Sequence, residues 1–262
     1  MPRIVVNRDN LNDRNLEFEQ VPLSSPLFLN SVPKCGTHLI RNIFRMFVPV
    51  EQQYHDMFIQ LPMLQDHLAA FDTKTPKLSW GHLLFSDDSA MATHGVNQVL
   101  IVRDPYSWVL ARARFMLSKN FDGSMEKLRS GKITIEQVLS LMIFGIYQVA
   151  PTMEEFYTNN AIAWLGTGIK LVHFEDLVKH VKNIDTPEAE TYFADLLSDC
   201  GFDELPSDWK ERVIIGSDRK QSGTARENLA DLRLEVPNEL PEINKQMVDY
   251  AAPGLRKLLG YE

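Results

Sequence analysis

A loop between a predicted strand and a predicted helix decides the fold, in the stretch Leu27-Phe28-Leu29-Asn30-Ser31-Val32-Pro33-Lys34-Cys35-Gly36-Thr37-His38-Leu39. The first residues are apolar without alternation, which is typical of a strand buried on both faces of a parallel sheet. From Leu39 onward, apolar residues recur at helical spacing, at Ile40, Ile43 and Phe44. The stretch therefore predicts a strand, a loop and an amphipathic helix in direct succession.

The loop has the composition of an anion-binding site. Gly36 allows a ligand to approach the backbone, and the predicted helix begins with unpaired N–H groups at the positive end of its dipole. Lys34 adds a positive charge and Thr37 adds a hydroxyl group. The pattern is not a Walker A loop, because Lys34 precedes the only glycine instead of following the second one. A plain turn with a threonine at the helix start is the structural alternative.

Two further apolar runs, at residues 99–102 and 169–172, are also followed by helical periodicity, and residues 77–82 suggest a fourth strand. Strands that alternate with helices predict right-handed crossovers and a parallel sheet. Residues 58–71 and 134–165 are predicted to be helical, with Pro151 at a junction, and so is most of the chain beyond Pro187. The fold class is α/β: a parallel sheet with a P-loop-like strand–loop–helix, flanked by many helices.

Composition narrows the possible functions. The chain has 262 residues, 44% of them hydrophobic, and a formal net charge of −8. These values predict one globular domain over residues 1–262 and argue against a nucleic-acid binder or a polybasic membrane binder. Cys35 and Cys200 form neither a disulfide framework nor a zinc set. The sequence shows no signal peptide and no membrane anchor, so a cytoplasmic protein is expected.

A second candidate site is Val102-Arg103-Asp104-Pro105-Tyr106-Ser107, at the end of the predicted strand 99–102. Ligands of α/β proteins bind at the carboxyl ends of parallel strands. A guanidinium group placed there suits bidentate binding of a phosphate. The structural alternative is an Arg103–Asp104 ion pair, with Pro105 starting a helix.

Taken together and in this order, the two segments resemble the sulfotransferases that use 3′-phosphoadenosine 5′-phosphosulfate (PAPS). In that family a Pro-Lys-Ser-Gly-Thr-Thr type loop cradles the 5′-phosphosulfate, and Lys34, Gly36 and Thr37 match it. The family's Arg-Asp-Pro turn, which holds the 3′-phosphate, corresponds to Arg103 and the two residues after it. The resemblance extends over about residues 25 to 230.

Three other segments are similar to family motifs. Residues 77–84 look like the strand that supplies the catalytic histidine, which implies that role for His82. Residues 173–177 look like the segment whose aromatic side chain lies near the adenine, which implies Phe174. Arg219 and Lys220 resemble a late segment that closes over the 3′-phosphate.

The chain also departs from the family pattern. His38 replaces the second threonine of the loop, and Cys35 replaces a small residue. Trp80 takes the place of a lysine two residues before the catalytic histidine. Ala111 stands where the resemblance implies a phosphate-binding serine, and Ser107 is the candidate substitute.

The resemblance implies transfer of the sulfuryl group of PAPS to a hydroxyl or N–H group of a small acceptor, with release of adenosine 3′,5′-bisphosphate (PAP). His82 is the expected general base, with His38 and His55 as alternatives, and Lys34 is expected to neutralise charge on the bridging oxygen. The expected cofactor-binding residues are Lys34, Cys35, Gly36, Thr37, His38, Arg103, Ser107, Phe174, Arg219 and Lys220. No metal is implied. An unperturbed imidazole titrates near 6.5, so the rate is expected to rise with pH through that range.

The acceptor is expected to be a neutral or cationic small molecule, because the chain is acidic. Family members without anchors suggest natural-product tailoring, and neither nucleic acid nor membrane is an expected partner. A nucleotide-binding protein without catalysis and a glycan or lipid sulfotransferase are the alternatives. The sequence does not indicate the oligomeric state.

Overall fold

The computed structural model describes residues 3–4, 8–55, 58–122, 128, 130–232 and 234–262. Its main feature is a five-stranded sheet in which all strands are parallel, in the order β3-β4-β2-β5-β7. The strands are β1 (Arg3–Ile4), β2 (Leu27–Ser31), β3 (Ile59–Gln60), β4 (Leu78–His82), β5 (Asn97–Val102), β6 (Phe121–Asp122) and β7 (Lys170–His173). The short strands β1 and β6 form a separate antiparallel pair.

Strand β2 lies in the middle of the sheet, and every one of its residues is buried. It pairs with β4 on one side, where Asn30 lies opposite Gly81, and with β5 on the other, where Ser31 lies opposite Ile101. Because all three strands run in the same direction, their carboxyl ends meet at one edge of the sheet. The loop after β2 therefore begins between the ends of β4 and β5.

Helices cover both faces of this sheet. They are α1 (Leu11–Asn15), α2 (Thr37–Arg45), α3 (Asp87–Ala92), α4 (Pro105–Leu117), α5 (Ile135–Phe144), α6 (Met153–Asn160), α7 (Phe174–Lys182), α8 (Pro187–Asp199), α9 (Trp209–Ser217), α10 (Glu242–Ala251) and α11 (Leu255–Leu258). Successive strand residues point to opposite faces, so Phe28 and Leu100 join the core under α4, α5 and α6. Leu29 and Ile101 join a second core with α2, α8 and α9.

The α/β prediction is confirmed, and four predicted strands lie within one or two residues of their expected positions. The predicted helix over residues 58–71 is wrong in part. Residues 59–60 form the edge strand β3, and Leu61–Phe71 is a 3₁₀ helix interrupted at His67. The Nδ1 of His67 lies 2.6 Å from the hydroxyl of Tyr54. The pairing of β3 with β4 is a tertiary interaction that apolar periodicity does not report.

Among the described residues, no helix is both long enough and apolar enough to cross a membrane.

Gly81 fixes how closely β3 approaches β4. A Cβ atom at this position would overlap the carbonyl group of Ile59. We expect Gly81→Ala to lower the free energy of unfolding by about 1–3 kcal/mol, because the edge strand must move away to admit the methyl group. Urea denaturation measures this loss.

Gly166→Ala is the matched control, because a Cβ there meets nothing within 4 Å. Its unfolding free energy should stay within about 0.5 kcal/mol of the parent. Equal stability of the two variants would show that β3 is not held against Gly81.

Candidate active site

The loop between β2 and α2 has a fixed shape. Lys34 and Gly36 adopt positive φ angles of 72° and 99°. A Cβ on Gly36 would overlap the ring of Phe174, so the aromatic ring packs directly against this glycine. The indole Nε1 of Trp108 donates a hydrogen bond to the carbonyl oxygen of Pro33 at 2.6 Å. The loop is therefore held from both sides before any ligand binds.

The N-terminus of α2 is open to a ligand. Gly36 occupies the N-cap position, and no side chain caps the first turn. The first amide groups of a helix have no partner within the helix and attract anions. The structure thus contains the loop and helix start that the sequence predicts, and anion binding by them stays a prediction.

Cys35 contributes packing to this loop. Its backbone N–H already donates to the carbonyl oxygen of Val32, and its side chain is fully buried. The sulfur lies 3.9 Å from the hydroxyl of Tyr157, and burial raises the pKa of the thiol. The geometry therefore does not favour the predicted contact of Cys35 with a cofactor, since both its donor and its thiol are engaged inside the protein.

Lys34 extends over the ring of Phe115, with its Nζ atom 3.5 Å from the ring centroid. Burial lowers the pKa of this lysine to about 7, and the positive charge of Arg103 lowers it further in the same direction. Burial and Arg103 thus disfavour the protonated form of Lys34. An anion bound between Lys34 and Arg103 would stabilise that form and raise its pKa.

His82 at the end of β4 is joined to the loop by hydrogen bonds. Its Nδ1 atom lies 3.0 Å from the carbonyl oxygen of Ser31 and 2.9 Å from the Ser31 hydroxyl. That hydroxyl is in turn 2.6 Å from the hydroxyl of Thr37. Since a carbonyl oxygen only accepts, this network assigns the imidazole proton to Nδ1 and leaves Nε2 as the free base.

Burial lowers the pKa of His82 to about 4, and the charge of Lys34 acts in the same direction, against the hydrogen bond to Ser31. His82 is therefore neutral at pH 7. Ser31 is a site residue that the sequence analysis missed, and its position at the end of the buried strand was the available signal.

The other two candidate histidines differ in their surroundings. His38 is partly buried, and its ring centroid lies 5.6 Å from that of Trp80. Burial lowers the pKa of His38 to about 3, helped by the charges of Arg41 and Lys34. His55 is exposed. Desolvation and the charges of Arg45 and Arg41 lower the pKa of His55.

Trp80 packs against the guanidinium group of Arg41. The guanidinium group of Arg41 lies 4.3 Å from the centroid of the Trp80 ring. Phe58 packs against Trp80 and against His82, with centroid distances of 5.6 Å in both cases. The aromatic side chains thus form one side of the site, at the position where the resemblance implied a lysine.

The Arg103 turn forms the second half of the site. The Nε of Arg103 donates to the hydroxyl of Ser107 at 2.8 Å, and its guanidinium carbon lies 4.5 Å from the centroid of the Phe174 ring. Phe174 thus contacts Gly36 and Arg103 at once, and it joins the two predicted binding segments. The Tyr157 hydroxyl donates to the carbonyl oxygen of Arg103 at 2.7 Å, which fixes the backbone of the turn.

Asp104 pairs with Arg256 and not with Arg103, so the ion pair of the structural alternative is not found, whereas Pro105 does start helix α4 as that alternative expected. The Asp104 carboxylate caps α4 by accepting from the N–H of Tyr106 at 3.0 Å. It also accepts two hydrogen bonds from Arg256, at 3.1 and 3.0 Å. The hydroxyl of Ser107 lies 3.1 Å from the carboxylate of Glu175. No other hydrogen bond joins the guanidinium group of Arg103 to the described residues, so its remaining N–H groups can donate to a ligand.

Among the described residues, no hydrogen bond or ion pair joins Arg219 or Lys220 to Lys34 or Arg103, so their role at the 3′-phosphate stays a prediction. Arg219 and Lys220 are exposed, and Arg219 forms an ion pair with Glu227 at 2.6 Å. The charges of both Arg103 and Arg226 act on Arg114. Burial lowers the pKa of Arg114 to about 10, and the nearby charges of Arg226 and Arg103 add to this effect.

Arg114 and Arg226 were missed by the sequence analysis. Arg114 is 8% exposed and lies in the largely apolar helix α4. A buried arginine in such a helix was the available signal. Arg226 carried no signal, because it is far in sequence from Arg114, on which its charge acts.

No group of three or more His, Cys, Asp or Glu side chains within the described part of the chain is arranged to hold a metal ion.

Solved structures with PAP bound resemble this chain over most of its length. Mouse sulfotransferase SULT7A1 complexed with PAP shares 13% identity, with a TM-score of 0.58 over 96% of this chain and 92% of that chain. The chain has the sulfotransferase fold. Retinol dehydratase in complex with androsterone and the inactive cofactor PAP shares 14% identity, with a TM-score of 0.50 over 91% of this chain and 82% of that chain. No protein-family model and no curated protein sequence matches the chain.

His38 and His82, both partly buried, make stability depend on pH. In the unfolded chain they bind protons below about pH 6.5, whereas in the folded protein their pKa values are about 3 for His38 and about 4 for His82. The unfolded state therefore binds more protons between about pH 6.5 and pH 4. We expect the free energy of unfolding to fall as the pH is lowered through that range, by up to about 1.4 kcal/mol per pH unit for each histidine.

Chemical denaturation at several pH values measures this slope. His82→Gln should lower the slope of the unfolding free energy against pH by the contribution of one histidine. His94→Gln, which changes an exposed histidine, should leave the slope unchanged. An unaltered slope in His82→Gln would show that His82 titrates normally in the folded protein.

Proposed function

We propose that residues 1–262 form a single catalytic domain that transfers the sulfuryl group of PAPS to a small acceptor and releases PAP. The observation that carries this proposal is the convergence of two separate cationic sites at one edge of the sheet. Lys34 lies with the uncapped start of α2, and Arg103 lies across Phe174 from Gly36. A nucleotide with anionic groups at both its 5′ and 3′ positions matches this arrangement.

The residues present fit this nucleotide. The shaped loop offers free amide groups to a 5′-phosphosulfate, and Lys34 supplies a positive charge beside them. Arg103, held by Ser107, is suited to the 3′-phosphate, and Arg114 and Arg226 add charge near it. Two PAP-bound structures of the same fold support the assignment.

The proposed mechanism uses two side chains for two tasks. His82, with Nε2 unprotonated, accepts the proton of the acceptor hydroxyl, while the Ser31 carbonyl oxygen keeps its ring oriented. Lys34 stabilises negative charge at the loop. When bound, PAPS supplies the sulfuryl group, so that the acceptor oxygen bonds to sulfur as the bond from sulfur to the phosphate oxygen breaks.

A nucleotide-binding protein without catalysis is the second candidate. Trp80, which contacts Arg41 and His38, occupies the position where the resemblance implied a lysine. Incubation with PAPS labelled in the sulfuryl group and a panel of phenols and amines separates the two functions. Appearance of a labelled acceptor supports the transferase, whereas binding of PAP without any transfer supports the second candidate.

PAP should bind much more tightly than AMP. Both carry a 5′-phosphate, but only PAP has the 3′-phosphate that Arg103 is proposed to hold. Calorimetric titration of each nucleotide measures the difference. Equal affinity would remove the support for a PAPS site and for the proposed function.

Arginine variants locate the 3′-phosphate in the same titration. Arg103→Ala should weaken PAP binding by about 2–5 kcal/mol, as is typical when a buried charged pair loses one partner. Arg226→Ala, which removes an exposed charge, should weaken it by about 1 kcal/mol or less. Arg219→Ala is the control and should bind PAP like the parent, because Arg219 pairs with Glu227. A larger loss in Arg219→Ala than in Arg226→Ala would restore the sequence-based assignment.

His82→Asn should lower turnover by about 10²–10⁴-fold, the usual contribution of a general base, while PAP affinity is retained. Because the pKa of His82 in the free protein is about 4, kcat/KM of the parent should not show the rise near pH 6.5 expected from the sequence. Between pH 6 and pH 8 it should instead fall as the pH rises, because the pKa of Lys34 is about 7 and the neutral amine no longer stabilises negative charge. Steady-state kinetics across this range provide the measurement. If the folded His82→Asn protein keeps the parental turnover, His82 is not the general base, and His38 or His55 becomes the candidate.

A further inference from the structure

A cavity of about 300 Å³ opens beside His82. His82 and Pro33 line one side of it, and residues of helix α6 line another side, among them Glu155, Phe156 and Asn160. The hydroxyl that His82 deprotonates must lie at the Nε2 side of its ring. The remainder of an acceptor can therefore extend along this cavity toward α6.

The size of the cavity limits the acceptor. A volume of about 300 Å³ is at the lower end of the range of roughly 300–1,000 Å³ for small-molecule sites. Phe156, Leu61 and Pro62 supply apolar surface, which suits one ring or a short carbon chain. The cavity is thus matched to a compact acceptor with an apolar middle.

The charge that lines the cavity is negative. Apart from His82, Glu155 is the one titratable side chain among the described residues that line it, and no lysine or arginine is among them. One oxygen of Glu155 accepts the N–H of Thr152 at 2.7 Å, and this hydrogen bond lowers the pKa of the carboxyl group. The other carboxylate oxygen can accept from a ligand. A cationic group is therefore favoured at this end, and an anionic group is disfavoured.

Asn160 provides the second polar contact. It is 1% exposed, it lines the cavity, and its Nδ2 atom has no hydrogen-bond partner among the described residues. A buried amide without a partner is costly. An oxygen or nitrogen lone pair on the acceptor would satisfy it.

We propose, on the basis of the sulfotransferase function above, that the natural acceptor is a compact hydroxylated amine whose hydroxyl faces His82 and whose ammonium group faces Glu155. In the transfer, the hydroxyl oxygen bonds to the sulfur of PAPS, its proton moves to Nε2 of His82, and PAP leaves with the electrons of the broken S–O bond. The ammonium group takes no part in the chemistry. It orients the acceptor.

Three phenols with the same ring and nearly the same chain test the charge preference: tyramine is cationic, 4-ethylphenol is neutral and 3-(4-hydroxyphenyl)propionate is anionic. Each is titrated calorimetrically into the complex with PAP, which carries no sulfuryl group and so prevents turnover. We expect tyramine to bind about tenfold more tightly than 4-ethylphenol, and the propionate to bind most weakly. Equal binding of the three, or tightest binding of the propionate, overturns the proposal.

Variants of neighbouring glutamates assign the effect. Glu155→Gln removes the charge but keeps the cap of α6, since Gln137 fills the same role in α5 by accepting the N–H of Thr134 at 2.9 Å. It should weaken tyramine about tenfold and change 4-ethylphenol by no more than about twofold. Glu154→Gln removes an exposed charge that does not line the cavity and should change neither. Parental tyramine binding in Glu155→Gln overturns the proposal.

The titrations are repeated without PAP, so that the acceptor preference and the proposed function can fail separately. A protein that prefers tyramine through Glu155 but does not bind PAP retains the amine site and contradicts the sulfotransferase function. A protein that binds PAP but none of the three phenols retains the nucleotide site and overturns the acceptor proposal.

Discussion

The parallel pairing of β2 with β4 on one side and with β5 on the other is the constraint on which the site depends. It places the end of β2 between the ends of its two neighbours. The carbonyl oxygen of Ser31, at the end of β2, can then accept a hydrogen bond from His82 at the end of β4. On the other side, Phe174, which follows β7, reaches across the end of β5 to Gly36. The binding residues come from distant parts of the chain, and the sheet register is what makes them neighbours.

The cations of the site are stabilised poorly by the protein itself. Two carboxylates in the adjoining segments are already engaged, Asp104 by Arg256 and Glu175 by Ser107 and Tyr261. The lowered pKa of Lys34, about 7, expresses the cost of placing an ammonium group beside Arg103 in a poorly hydrated site. In a chain of net charge −8, local positive charge without paired carboxylates is a property that suits a polyanion. A ligand that binds the folded state alone would stabilise the protein in proportion to its affinity and concentration.

Local sequence predicted the parts of the fold that local interactions determine. The strand–loop–helix around Lys34 and the end of the strand at Arg103 were predicted correctly. Strands buried in a parallel sheet are apolar throughout, and a glycine directly before a helical pattern is typical of a turn with a positive φ angle. The two-residue strand β3 and the partners of Arg219 could not be predicted, since edge pairing and ion pairs between distant segments leave no periodic pattern. Arg226 was missed for the same reason. The bond between Ser31 and His82 depends on the register of β2 against β4, which sequence does not specify.

The low basicity of His82 links the proposed base to the proposed cofactor. Burial and the charge of Lys34 lower the pKa of His82 to about 4, well below the value at which a general base is most effective near neutral pH. An anion bound at the loop would oppose the charge of Lys34 and raise the pKa of His82 toward the working pH. The Ser31 carbonyl would hold the imidazole in one tautomer before and after this change. His82 would then become an effective base mainly when the nucleotide is in place, so that deprotonation of the acceptor is favoured only in the complex that can use it.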